Sequence, residues 1–242
     1  MKTKKPVIDI LPGLIASEKN DWRSFVGQLD EFKVTSLALI LDNLPADERR
    51  ALYRQLEGTK LQRIPYVEID KGTEEWELDY LSTRFKAESF SCPSFANLSG
   101  FLSTMPHYVH LICVKGPMIK SQDSGFVENN LRSLGVPGVA LDAAAFEKER
   151  IRRHANHEKT IAVLDHFDVL ATHISVLPSV WSDLMSSQAN YRNLSSLKQL
   201  RYLMHLPPVA FGKYLVIELA NHLDEILEVR TYLESLLKEN DL

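Results

Sequence analysis

The chain has 242 residues, 45% of them hydrophobic and 25% charged, enough apolar material for one large core. A formal net charge of -4 and a pI near 6.1 provide no broad basic field, which excludes double-stranded nucleic acid as an expected partner. No apolar run approaches the roughly 20 residues of a membrane span, and two cysteines, Cys92 and Cys113, are too few for a disulfide framework, so a cytoplasmic, reducing location is expected.

Taken in order, Pro6 to Leu11 reads as a short strand closed by Pro12-Gly13, and Trp22, Phe25, Val26, Leu29 and Phe32 follow at helical spacing. Ser36 to Leu41 is a second strand ending at Asp42-Asn43, and Pro45 precedes a helix through Ala51, Leu52 and Leu56. Ile64 to Asp70 is a third, followed by a helix whose expected apolar face is Trp76, Tyr80, Leu81 and Phe85. Ala87 to Cys92 is a weaker fourth, stopped by Pro93 and followed by Phe95, Leu98, Phe101 and Leu102. Tyr108 to Val114 is the most continuous apolar run of the first half, as in a strand buried on both faces, and it ends at Lys115-Gly116-Pro117.

A helix through Phe126, Val127, Asn130, Leu131 and Leu134 then leads past Gly135 to the sixth strand, Gly138-Val139-Ala140-Leu141-Asp142. A longer charged segment from Phe146 to Phe167 precedes the seventh, Val169 to His173-Ile174-Ser175. A polar loop with Trp181 and Ser186-Ser187-Gln188 and a helix from about Ser196 to Leu206 lead to the eighth, Tyr214-Leu215-Val216-Ile217-Glu218. Leu223, Ile226, Leu227, Leu233, Leu236 and Leu237 mark a last helix. Eight strands alternating with helices, with no linker or repeat, predict an α/β fold of a single (β/α)8 TIM barrel spanning 1-242 as one domain.

Active sites of such barrels lie at the C-terminal strand ends. The groups there are Asp9, Asp42, Glu68 or Asp70, Cys92, Cys113 or Lys115, Asp142, His173 and Glu218. By strand alternation, an inward Asp142 brings Ala140 and Gly138 with it, His173 brings Ala171 and Val169, and Glu218 brings Val216 and Tyr214. Carboxylates and an imidazole on successive strands suit Mn²⁺, Mg²⁺, Zn²⁺ or Co²⁺, so Asp142, His173 and Glu218 are the expected metal ligands; capping of the following helices is the competing role.

The Gly-Val-Ala-Leu-Asp strand end, the Ala171-Thr172-His173-Ile174-Ser175 strand, and Tyr214 to Glu218 followed by Leu223-Asp224-Glu225-Ile226 and a Leu-rich helix together resemble the xylose-isomerase-like barrels, which include sugar-phosphate isomerases and epimerases. The resemblance is closest from Val136 to Leu237. It implies a divalent metal held by Glu, Asp, His and Glu of the last four strands, with the two glutamates moving protons beside a sugar carbonyl. Asp142, His173 and Glu218 match the last three positions, with Ser175 an alternative to His173. The first glutamate has no counterpart among Cys113, Val114 and Lys115, and Ala145 stands where the family often has a histidine.

Two functions follow. One is a metal-dependent isomerase, epimerase or lyase acting on a small sugar or polyol, with Glu218 doubling as base and Lys115 polarising a carbonyl or holding a phosphate in place of the missing carboxylate. The other is a barrel that lost its chemistry and serves as a ligand-binding or protein-interaction module. Cys92 and Cys113 are expected as two buried, unconnected thiols, although neighbouring strand ends come close enough for a disulfide. A Cys113 thiolate replacing the lost glutamate would favour Zn²⁺.

Overall fold

The structure is a computed structural model that describes residues 8–115, 129, 131–151, 155–175, 200–219 and 222–239. Phe126, Val127 and Asn130 of the expected fifth-unit helix, the loop with Trp181 and Ser186 to Gln188, and the start of the helix at Ser196 lie outside those residues.

Eight parallel strands form a closed barrel in sequence order, β1 pairing with both β2 and β8. They are β1 (Asp9–Ala16), β2 (Ser36–Leu41), β3 (Arg63–Glu68), β4 (Ser89–Cys92), β5 (Ile112–Lys115), β6 (Val139–Asp142), β7 (Val169–Ser175) and β8 (Tyr214–Glu218). Outside them lie α1 (Trp22–Gln28), α2 (Ala46–Glu57), α3 (Glu75–Phe85), α4 (Phe95–Thr104), α5 (Ala143–Ile151), α6 (Ala155–Leu164) and α7 (Leu223–Glu239). The predicted α/β barrel is therefore the observed one.

Alternation along each strand divides the core in two. Leu39, Val67, Phe90, Val114, Leu141 and Leu215 face the helices. Leu11, Ala38, Tyr66, Cys113, Ala140, Ala171, Tyr214 and Val216 fill the lumen. Ala140, Ala171, Tyr214 and Val216 lie inward as the alternation required, and His173 and Glu218, two places beyond Ala171 and Val216, reach the barrel mouth. Val169, expected inward with them, packs against the outer cluster instead, next to the register shift between Val139 and Ala140.

Two strands, β1 and β5, differ from expectation. β1 does not stop at Pro12-Gly13 but runs through them, so Asp9 stands at the start of its strand, where it pairs with Arg63 at 2.5 Å on the side away from the mouth. The proline is tolerated because pairing changes partner there: Asp9 to Pro12 pair with β8, and Gly13 to Ala16 with β2. The Tyr108 to Val114 run is split. Pro106–Leu111 forms a 3₁₀ helix and only its end enters β5, since apolar continuity alone does not separate a short helix from a strand.

Gly13 is needed for closure. A Cβ on it would lie 2.6 Å from the Ile217 carbonyl oxygen, on the backbone of β8. Gly13→Ala should therefore cost about 1–3 kcal/mol by overpacking. Gly27→Ala, at a helical position where a Cβ meets nothing within 4 Å, should be stabilising by roughly 0.5–1 kcal/mol. Urea unfolding of both variants checks the contrast.

A third difference concerns α3. It buries Leu78, Leu81 and Phe85, as well as Glu77, whereas Trp76 is 38% exposed. Glu77 is buried because two sets of partners hold it. Its Oε1 accepts the Glu74 backbone N–H at 3.0 Å in a capping box, and its Oε2 takes the Tyr53 hydroxyl at 2.6 Å and lies 3.0 Å from Arg49 Nε. Burial and the neighbouring Glu77 carboxylate both hold the Tyr53 phenol far above its usual range, so it stays a donor. Arg49 also donates to the Leu44 carbonyl at 2.8 Å and the Gly72 carbonyl at 2.5 Å, and lies 3.4 Å from Asp70. One buried guanidinium thus fastens α2 to the turn between β3 and α3.

Candidate active site at the barrel mouth

Four ionisable side chains from four strands meet at the C-terminal end of the barrel: Glu68 (β3), Lys115 (β5), His173 (β7) and Glu218 (β8). Lys115 Nζ donates to Glu68 Oε2 at 2.7 Å and to Glu218 Oε1 at 2.9 Å. His173 Nδ1 is in a short hydrogen bond with Glu218 Oε1 and lies 3.7 Å from Glu68 Oε2. His173 Nε2 is 2.6 Å from the Tyr66 hydroxyl, itself 2.5 Å from Ser91 Oγ.

The cluster is directional. Burial first, then the charges nearby, holds the Tyr66 phenol well above its usual range, so it remains a protonated donor. Donation by Tyr66 to Nε2 leaves the proton of His173 on Nδ1, facing Glu218, with Ser91 able to donate to the phenolic oxygen. A second-layer tyrosine thereby sets the tautomer and the ring angle of the histidine.

Burial alone would lower the Lys115 ammonium, but Glu218 and Glu68 outweigh it and hold the group above its usual range. It is a cationic donor, not a free amine nucleophile. Burial alone would likewise raise the Glu218 carboxyl, but Lys115 and His173 outweigh it and hold it well below the usual carboxylate range. The sign of the pH dependence follows. A depressed carboxyl contributes stability above its unfolded value of about 4.3, lost as pH falls toward the folded value; a raised ammonium contributes it below about 10.4, lost as pH rises toward its folded value. In urea unfolding followed against pH, the stability advantage of the parent over Glu218→Gln should be constant between these limits and shrink as pH falls below about 4.

Of the residues expected from the sequence, Lys115, His173 and Glu218 come together. Asp142 goes elsewhere: its Oδ1 accepts the Ala145 backbone N–H at 2.9 Å and caps α5, which begins at the next residue. Asp70 turns to Gly72 N, Thr73 Oγ1 and Arg49. Glu68, the other carboxylate weighed on that strand, takes the site position. Tyr66 and Ser91 were not anticipated; the signal for Tyr66 is its place two residues before Glu68 on the same face. Cys92 and Cys113 are free, buried thiols. Burial pushes Cys92 up to about 12 and Cys113 higher still, so Cys113 is lumen packing and offers no thiolate at neutral pH.

The ligand atoms of Glu68, His173 and Glu218 lie within 4.8 Å of one another, a group that could hold a metal ion. The donor set suits a divalent cation, and two carboxylates with one ammonium still attract one, but the ammonium weakens that attraction. The Lys115 ammonium already bonds both carboxylates, and a divalent ion on the order of 4 Å from it would be repelled by about 8 kcal/mol at an effective dielectric constant of roughly 20, twice the figure for two unit charges.

No protein-family model and no curated protein matches the chain. Among solved structures it is similar to dihydropteroate synthase from Thermus thermophilus. One such structure has 13% identity and a TM-score of 0.48 over 95% of this chain and 94% of that one. Another, in complex with 6HMPPP, has 12% identity and a TM-score of 0.52 over the same shares. The likeness is one of fold. It agrees with the closed eight-stranded barrel and leaves the narrower xylose-isomerase-like resemblance to the functional reading below. Among the described residues no helix is long and apolar enough to cross a membrane.

Proposed function

We propose that the chain is an isomerase, epimerase or lyase acting on a small sugar or polyol-derived carbonyl compound bound at the barrel mouth, where it moves a proton on a carbon beside the carbonyl. The observation that carries this reading is the convergence of Glu68, Lys115, His173 and Glu218 into one hydrogen-bonded cluster at the strand ends. The sugar or polyol is the class implied by the xylose-isomerase-like resemblance; the cluster supports the proton transfer.

In this reading the substrate carbonyl oxygen competes for the Lys115 ammonium. Once Lys115 donates to that oxygen, Glu218 loses its strongest cationic partner and its basicity rises, so substrate binding itself creates the base. Glu218 takes the proton from carbon, and the negative charge that develops on the substrate oxygen is met by Lys115 in a site screened from bulk water. Glu68, the other acceptor of Lys115, supplies the second carboxylate that the sequence lacked on β5. In an isomerisation Glu218 returns the proton it took to the neighbouring carbon; in an epimerisation Glu68 passes a proton from water to the carbon while Glu218 gives its own up to water. His173 keeps Glu218 aimed through its Nδ1–H. The divalent metal expected from the sequence has no step here, because Lys115 serves as the cation.

The test is solvent exchange. Parent protein incubated in D₂O with a panel of aldoses, ketoses, their phosphates and polyols should place deuterium beside the carbonyl of at least one of them, read by NMR, and Glu218→Gln should not. Binding without exchange across the panel would favour the non-catalytic module instead.

A further inference from the structure

We propose that Lys115 is a built-in cation that keeps the Glu68, His173 and Glu218 donors closed to divalent metal ions, and that loss of its ammonium alone turns the same three side chains into a metal site. The inference rests on geometry and does not depend on the reaction. Three donors of the types that hold Zn²⁺, Co²⁺ or Mn²⁺ are within 4.8 Å of one another. The imidazole is already held from behind: the Tyr66 hydroxyl is 2.6 Å from Nε2, and Nδ1 faces the two carboxylates. A metal on Nδ1 requires the other tautomer, with the ring proton on Nε2 and the Tyr66 oxygen accepting it while the tyrosine's own proton goes to Ser91 Oγ, 2.5 Å away; that is the support that ligating histidines receive from an outer partner. Among the described residues, what separates this arrangement from a metal centre is one side chain, whose Nζ is 2.7 Å from one carboxylate and 2.9 Å from the other.

Replacing Lys115 by Met keeps an unbranched side chain as far as the ε position and removes the ammonium with its charge. The variant then holds two neighbouring carboxylates without a counter-cation, an arrangement that is unfavourable when empty and is relieved by a divalent ion. The full chain, dialysed against chelator, is titrated with Co²⁺ followed by its visible absorption and with Zn²⁺ followed by melting temperature. Lys115→Met is expected to take one Co²⁺ at least about 100-fold more tightly than the parent, from the relief of charge repulsion alone. Its melting temperature, lower than the parent's without metal, should rise with Zn²⁺. Adding His173→Ala to Lys115→Met should abolish both responses.

The proposal is overturned by a parent that holds a stoichiometric divalent ion after chelation, by a parent that binds Co²⁺ as tightly as Lys115→Met, or by a folded Lys115→Met that binds neither ion. A Lys115→Met chain that folds only with Zn²⁺, Co²⁺ or Mn²⁺ present supports it, since the metal then replaces the ammonium. One that stays unfolded with all three present overturns it.

Discussion

Arg49→Met is expected to lower stability by about 3–5 kcal/mol, the cost of leaving buried carboxylates without their cation. Arg49 is only 4% exposed, and its guanidinium compensates Glu77 and Asp70 while donating to the carbonyls of Leu44 and Gly72. At about 2–4 °C per kcal/mol for a chain of this size, the melting temperature should fall by about 6–20 °C. Differential scanning calorimetry measures it. Most of the loss comes from the uncompensated charges, not from the missing contacts, so Arg49→Met combined with Glu77→Gln should recover part of it. A double variant as unstable as the sum of its parts would show that the charges do not interact.

Glu218→Gln should reduce proton exchange on an accepted substrate by about 10²–10⁴-fold, the usual contribution of a positioned general base. The substitution preserves the shape of the side chain but gives up the carboxylate that Lys115 and His173 address. Asp142→Ala is the matching control. Its carboxylate caps α5, so the variant should lose about 1 kcal/mol of stability with an exchange rate per folded molecule close to the parent's. A loss of exchange on Asp142→Ala as large as on Glu218→Gln would return Asp142 to the reacting site.

The strand ends were legible from the sequence wherever a strand stopped cleanly. β2 and β8 occupy the residues expected of them, and alternation selects Ala140, Ala171, Tyr214 and Val216 for the lumen correctly but Val169 wrongly, since it packs against the outer cluster at the β6–β7 register shift. What could not be read was the fate of each polar tip. Asp142 and Glu68 look alike as lone carboxylates after apolar runs. Asp142 is drawn to a helix that begins at Ala143 with unpaired backbone N–H groups, whereas Glu68 is followed by a turn whose polar needs Asp70 meets. Pro12-Gly13 misled because a proline reads as a stop unless pairing changes partner at that point, and only the assembled sheet shows that it does. Tyr66 and Ser91 lie within strands, where a hydroxyl reads as packing until the histidine opposite is known.

The four mouth residues are far apart along the chain. Lys115 bonds partners 47 and 103 residues away, and His173 bonds partners 45 and 107 away. No half of the barrel contains the cluster, so it assembles only after the ring of strands has closed and the loop entropy of that closure has been met. Interactions formed after the folding barrier slow unfolding without hastening folding. The cluster therefore acts as a clasp on the finished barrel, and weakening it should shorten the lifetime of the native state while the time taken to reach that state hardly changes.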